Sequence, residues 1–271
     1  MLTVGALALT VVAAFVAAVR DPIVREAKIG LADWPARQPP LRLLLVSDIH
    51  VAGPDMPPSR VARLVRQINR LSPDVVLLAG DFISDKRIAT RQYSLDEAIL
   101  PLAELRAPLG SFAVLGNHDH WRDAAQTSDA LSRAGIDVLD NKAARAGPIV
   151  IGGLNDDFTG HADSAATIAA MRRLKGARIL LSHSPDPFPA IPAEVGLMVA
   201  GHTHCGQMAF PLIGPIATMS RYGKRYACGI VREPGRTLIV SAGVGTSLVP
   251  LRIGVPPDMW LIQVGPVTAQ Q

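Results

Sequence analysis

At 271 residues the chain has room for one large α/β domain or two small ones. It is 49% hydrophobic and 18% charged, as a globular protein with a sizeable aliphatic core should be. The balance is mildly basic, net +4, but the cations are scattered and aromatics make up only 4%. That argues against nucleic-acid binding and favours anionic lipid or phosphorylated substrates as partners.

The first element is an uncharged run from Leu2 to Val19, closed by Arg20. Eighteen helical residues span about 27 Å, slightly short of a hydrocarbon core of about 30 Å, a gap that Arg20 could close by snorkelling. No basic residue precedes the run, no A-x-A pair sits at its end and there is no twin arginine. It therefore reads as an uncleaved membrane anchor over residues 1–20 and less well as a signal peptide. Arg20, Arg25, Lys28, Arg37 and Arg42 follow it, which predicts the main domain on the cytoplasmic side of the membrane. Two cysteines, Cys205 and Cys228, are too few for a disulfide framework and are compatible with a reducing compartment.

Residues 21–40, with Pro35, Pro39 and Pro40, read as a linker, 41–265 as the main domain and 266–271 as a tail. The run LRLLLVSD (41–48) predicts a buried strand. Helical spacing follows over Ser59–Leu71, then a strand at DVVLLAGD (74–81), a helix near 95–105 and a strand at GSFAVLGN (110–117). Further helices are expected near 123–134 and 163–174, and strands at PIVIGG, ARILLSH, VGLMVAGH, RTLIVSAG and MWLIQV. Strand–helix alternation followed by strands in quick succession predicts an α/β layered sandwich in one domain.

The polar residues gather where these strands end. Asp48 and His50 follow the first, Asp81 the second, and Asn117, His118 and Asp119 the third. His183 and the pair His202 and His204 close later ones, so five of the seven histidines lie at strand ends. In open α/β sheets ligands bind outside the carboxyl ends of strands. Nitrogen and oxygen donors suit manganese, iron, zinc or magnesium better than a thiolate cage would. Asp48, His50, Asp81, Asn117, His183, His202 and His204 are also too many for one ion, since zinc sites use three or four protein ligands. They predict two divalent metals, the arrangement that clamps an in-line displacement at phosphorus.

DxH, GDx, GNHD, an isolated His and GHTH, in that order, resemble the calcineurin-like metallophosphoesterases over Leu41–Val264. The GHTHxGQ motif and the segments YGKRYACG (222–229) and GVGTSLVPLRIGVPP (243–257) are similar to bacterial membrane-associated members of the YkuE/YaeI type. The resemblance implies a four-layer α/β/β/α sandwich, to which the N-terminal hydrophobic helix is added. It implies Asp48, His50 and His204 on one metal, Asn117, His183 and His202 on the other, and Asp81 between them. It also implies a metal-bound hydroxide as nucleophile, His118 as acid–base residue, and Asp119 as an orienting partner within the catalytic motif. Many relatives carry GDxxD, whose second aspartate pairs with the catalytic histidine; here GDFISD has Ser84 at that place and Asp85 one residue later, leaving the partner of His118 open.

The expected activity is hydrolysis of phosphodiester or pyrophosphate bonds in a membrane-associated or lipid-linked substrate. UDP-2,3-diacylglucosamine, of lipid A biosynthesis, is the sharpest candidate, with manganese, iron or zinc as metals. The membrane would be engaged through residues 2–19, and no obligate protein partner is evident. Arg221, Lys224, Arg225 and Arg252 are candidate substrate contacts. The alternatives are a broad-specificity phosphomonoesterase and a non-catalytic protein-binding scaffold on the same fold. Cys205, beside His204, reads as a spectator, and His120 and His161 as loop histidines.

Overall fold

The computed structural model describes residues 2–86, 88–210 and 212–267. Helix α1 (Leu2–Val19) leads into strand β1 (Ile23–Leu31), β2 (Leu41–Val46), α2 (Pro58–Arg70) and β3 (Val75–Ala79). Helix α3 (Leu95–Ile99), β4 (Ser111–Val114), α4 (Asn117–Arg133), β5 (Asp137–Val138), β6 (Lys142–Ala146) and β7 (Ile149–Leu154) follow. The remainder is α5 (Ser164–Arg172), β8 (Ala177–Ser182), β9 (Leu197–Ala200), β10 (Ala209–Phe210), β11 (Gly214–Pro215), β12 (Gly229–Glu233), β13 (Arg236–Val240) and β14 (Asp258–Pro266).

Two six-stranded sheets run in the orders β1-β14-β2-β3-β4-β5 and β12-β13-β9-β8-β7-β6. The centres are parallel, β2 through β5 in one and β13, β9, β8 and β7 in the other. A two-residue side-chain period sorts each strand between layers. Leu43 and Leu45 meet Ile151, Ile179, Leu181 and Val199 in the core between the sheets. Leu44 and Val46 face Val61, Leu64, Val65 and Ile68 of α2 on the outer side of the first sheet. Val150, Leu180 and Met198 face Ile168 and Met171 of α5 on the outer side of the second. Both faces of each central strand are thus buried, which is why their sequences are continuous apolar runs.

One feature departs from the sequence expectations. Residues 21–40, read as linker, contain β1, which pairs in parallel with β14 from Ile23↔Asp258 to Leu31↔Pro266. As an edge strand it alternates exposed and buried positions and carries Arg25, Glu26 and Lys28, so it lacks the apolar run that marks an inner strand. Helix α1 is seated on the domain only by its C-terminal part, and residues 5–13 are exposed. Ala14 and Ala18, one turn apart, are buried against the domain. The Ala14 carbonyl accepts from the Arg252 amide, and those of Ala18 and Arg20 accept from the buried Arg60 guanidinium. Among the described residues no helix is long and apolar enough to cross a membrane.

Candidate metal centre

The loops leaving β2, β3, β4, β8 and β9 meet at one edge of the sandwich, and each bears one or more of the polar residues singled out above. Asp48, His50, Asp81, Asn117, His183, His202 and His204 are all buried. Backbone bonds lock the loops together: Asp48 N donates to Gly80 O, His50 N to Asp81 O, and Gly201 N to His183 O, at 2.9–3.0 Å. Asp48, His50, Asp81, His202 and His204 all have positive φ, between 50° and 68°. Non-glycine residues in this region cost roughly 1–2 kcal/mol each, a strain that proteins concentrate at functional sites. The backbones also approach so closely that only glycine fits at two places. A Cβ on Gly116 would strike Asp81 Oδ1, and one on Gly201 would strike Asp48 Oδ2 and Ser47.

The side chains divide into two groups about one carboxylate oxygen. His50 Nε2 lies 3.1 Å from His204 Nε2 and 3.4 Å from Asp81 Oδ2. Asp48 Oδ1 sits 3.5 Å from His204 Nε2 in the same group. On the other side His183 Nε2 lies 3.1 Å from His202 Nδ1, 3.1 Å from Asn117 Oδ1 and 3.3 Å from the same Asp81 Oδ2. Carbonyl partners set two tautomers, because a carbonyl can only accept. His183 Nδ1–H donates to Ala79 O and His202 Nε2–H to Met219 O, which turns His183 Nε2 and His202 Nδ1 inward.

Converging nitrogen and carboxylate donors fit two divalent cations, one on each side of Asp81. The electrostatics agree. Burial, with the neighbouring imidazoles and Arg252, holds His50 and His204 well below the ordinary histidine range and His202 at about 4, so all three are neutral donors. Burial opposes ionisation of Asp81, yet the surrounding His183, His50 and His118 hold its carboxyl well below the usual range. Burial likewise opposes charge on His183, but Asp81 and then Asp48 hold its imidazole well above its ordinary value. Asp81 is thus the anionic centre of the pocket, while burial pushes the Asp48 carboxyl up to about 6.

His118 opens α4 beside this cluster, its Nε2 4.0 Å from Asp81 Oδ2. Its Nδ1 is hydrogen-bonded to the Asp85 carboxylate, so Asp85, and not Ser84, is its partner. The loop that presents Asp85 is anchored next door. Lys86, fully buried, donates to both oxygens of Asp55 at 2.8 and 3.0 Å and to Thr246 Oγ1 at 3.0 Å. Asp119 lies behind the site, where its carboxylate accepts from the amides of Asp81, Phe82 and Gly116 at 2.8–2.9 Å. It positions the β3 and β4 loops and does not face the cavity as an acid–base group would.

The candidate substrate residues fare differently. Arg252 is buried, and its guanidinium donates to the carbonyls of Ala242, Gly243 and Gly245, bracing the turn that carries Asp48's neighbours. It offers nothing to a substrate, because burial of its charge is already compensated by those carbonyls. Arg225 pairs with Glu233, Lys224 with Ile213 O, and Arg221, still largely exposed, with Asp157 and Asp186. The sequence reading missed two apolar walls. Trp121 packs edge-on to His118 with centroids 4.9 Å apart, and Phe158 lies 4.8 Å from His202; both are substantially exposed. Their scarcity was the available signal: Trp121 follows the GNHD motif closely in a chain with few aromatics. His120 and His161 stack on each other at 4.1 Å, with His120 also bonded to Asn155.

Cys205 is a bystander to the metals but not a free thiol. It forms a disulfide with Cys228, a pairing the sequence reading did not make and one at odds with a reducing compartment. With Thr203 Oγ1 donating to Ala227 O at 2.7 Å, it ties the GHTHCGQ loop to the YGKRYACG segment. Gln207 of the same motif bonds Val249 O, Leu251 O and Ser247 N, which ties it to GVGTSLVPLRIGVPP as well.

Comparison with known proteins adds the lineage. Residues 41–206 match the family model described as calcineurin-like phosphoesterase. An uncharacterized metallophosphoesterase of Aquifex aeolicus is 32% identical over 83% of this chain and 85% of its own length. The uncharacterized metallophosphoesterase YkuE of Bacillus subtilis is 32% identical over 72% of this chain and 69% of its own. A transmembrane protein with metallophosphoesterase domain from Danio rerio is 30% identical over 93% of this chain, which spans 60% of that protein's length.

Proposed function

This chain belongs to the calcineurin-like phosphoesterase family and is a metal-dependent phosphoesterase, and from that premise we propose that it uses a dinuclear centre on phosphodiester or pyrophosphate bonds of a lipid-linked substrate. The observation that carries the reading is the pair of inward-facing nitrogen contacts, His50–His204 and His183–His202, on either side of Asp81 Oδ2. Asp48, His50 and His204 would hold one ion, Asn117, His183 and His202 the other, with Asp81 shared. Bound there, two divalent ions supply charge neutralisation for the phosphoryl group and activation of water near neutral pH.

The chain's own residues do the rest. With Nδ1 engaged by Asp85, His118 has only Nε2 to offer across the centre. There it can hydrogen-bond a phosphoryl oxygen and deliver a proton to the departing oxygen, while the Asp85 carboxylate stabilises the imidazolium. Trp121 and Phe158 give the mouth apolar walls that favour a leaving group with hydrocarbon character. The uncharged α1 supports a substrate at a membrane, and UDP-2,3-diacylglucosamine remains the sharpest candidate. The disulfide supports an oxidising compartment, against the cytoplasmic side suggested by the basic residues after α1.

The test is a panel of bis(4-nitrophenyl) phosphate, 4-nitrophenyl phosphate and UDP-2,3-diacylglucosamine, assayed on the full chain with manganese. Diesters should exceed the monoester, and His118→Ala should lower kcat by about 10²–10⁴ with bound metal unchanged. Full activity in that variant would refute the role of His118. Failure on the diacyl substrate alone would remove that substrate and leave the phosphoesterase.

A further inference from the structure

We infer that the β10–β11 hairpin and the turn at Leu248 form, together with α1, one surface that docks on an anionic lipid bilayer. Leu212 is fully exposed, and Ile213, Ile216 and Leu248 are each about two-thirds exposed, at 72%, 65% and 69%. Such side chains scattered singly mean nothing, but grouped they mark an interaction site. The grouping follows from three contacts. The Arg252 amide donates to Ala14 O of α1, Ala209 N donates to Ile253 O at 2.8 Å, and Gln207 Nε2 donates to Val249 O and Leu251 O at 3.0 Å. Segment 247–254 is therefore laid between α1 and the hairpin. Helix α1 continues the surface: its C-terminal part grips the domain through Ala14 and Ala18 with Val12 and Val16 exposed on the opposite side, and residues 5–13, Leu7 and Leu9 among them, are exposed all round.

The occupant is a bilayer and not a second copy because of charge. Exposed cations border the apolar ground: Lys224 Nζ is bonded to Ile213 O of the hairpin itself, and Arg20 closes α1. Across a two-fold contact these charges would face their own kind, whereas anionic headgroups attract them. The exposed stretch 5–13 of α1 is apolar all round, so it enters the acyl region while the hairpin and Leu248 rest on the boundary beside it. The consequence rests on the phosphoesterase reading. The hairpin runs on to Met219, whose carbonyl holds His202, so docking brings the metal centre's mouth to the headgroups.

The experiment places the full chain on vesicles of phosphatidylcholine and phosphatidylglycerol. In an Ile213→Trp variant, lipids brominated on their acyl chains should quench the added emission. Combined Leu212→Asn, Ile213→Ser and Ile216→Ser should lower vesicle partitioning about tenfold or more, as buried apolar area is lost, while turnover of soluble bis(4-nitrophenyl) phosphate is unchanged. An unquenched tryptophan on vesicle-bound protein would overturn the inference, leaving α1 as the sole contact. A lipid-free dimer by light scattering, abolished by the triple substitution, would overturn it in favour of a second copy. Quenching without any diester turnover would uphold the surface and sink the phosphoesterase reading instead.

Discussion

At the scale of single residues, the hydrogen bond from His118 to Asp85 decides which ring nitrogen can meet a phosphoryl group. Replacing Asp85 by alanine removes the acceptor without touching any candidate ligand. The expected loss in kcat is about 10–100-fold, the usual cost of losing a residue that orients a functional histidine, with metal content by plasma emission unchanged. Asp85→Asn, which keeps one acceptor oxygen, should recover part of the rate. The seven candidate ligands were legible because each is a polar residue at the end of an apolar strand, where side chains have few other reasons to collect. Asp85 was not legible. Its direction is set by Lys86 bonding Asp55 and Thr246, which lie 31 and 160 residues away, and no local pattern encodes such a contact.

Among the elements, the loop after β9 carries the most constraint. It holds His202, His204 and Cys205 at positive φ, and the disulfide closes a 23-residue separation to Cys228. Cross-links of this span contribute about 3 kcal/mol by restricting the unfolded chain. Cys228→Ser should therefore lower the urea midpoint accordingly, and should weaken metal retention on dialysis because the strained loop loses its tie. Unchanged stability would mean that the reduced loop is held well enough by Thr203 and Gln207. Strand β1 shows the opposite problem for sequence reading. Its periodicity is present but diluted by charge, as edge strands require, so a linker was the simpler interpretation.

Across the whole molecule, the candidate centre joins the two sheets. Asp48, His50, Asp81 and Asn117 come from loops of the first, and His183, His202 and His204 from loops of the second. A cation held by both must stabilise the sandwich as a unit. Manganese at 100 times its dissociation constant adds about 2.7 kcal/mol by mass action, visible as a rise in Tm that a chelator reverses. Asp81→Asn, which removes the shared charge, should abolish most of that rise; a full rise in this variant would show that the ions bind elsewhere.

By itself the sequence determined the layered α/β class, the strand ends as the site and the identity of its nitrogen and oxygen donors. Those properties follow from local hydrophobic patterning and from side-chain chemistry, and both are written in consecutive residues. The tertiary structure decided the pairing of donors about Asp81, the partner of His118, the disulfide, the inward bracing role of Arg252 and the docking of α1. Each of these joins segments far apart in the chain, so it exists only once packing has brought them within hydrogen-bonding reach.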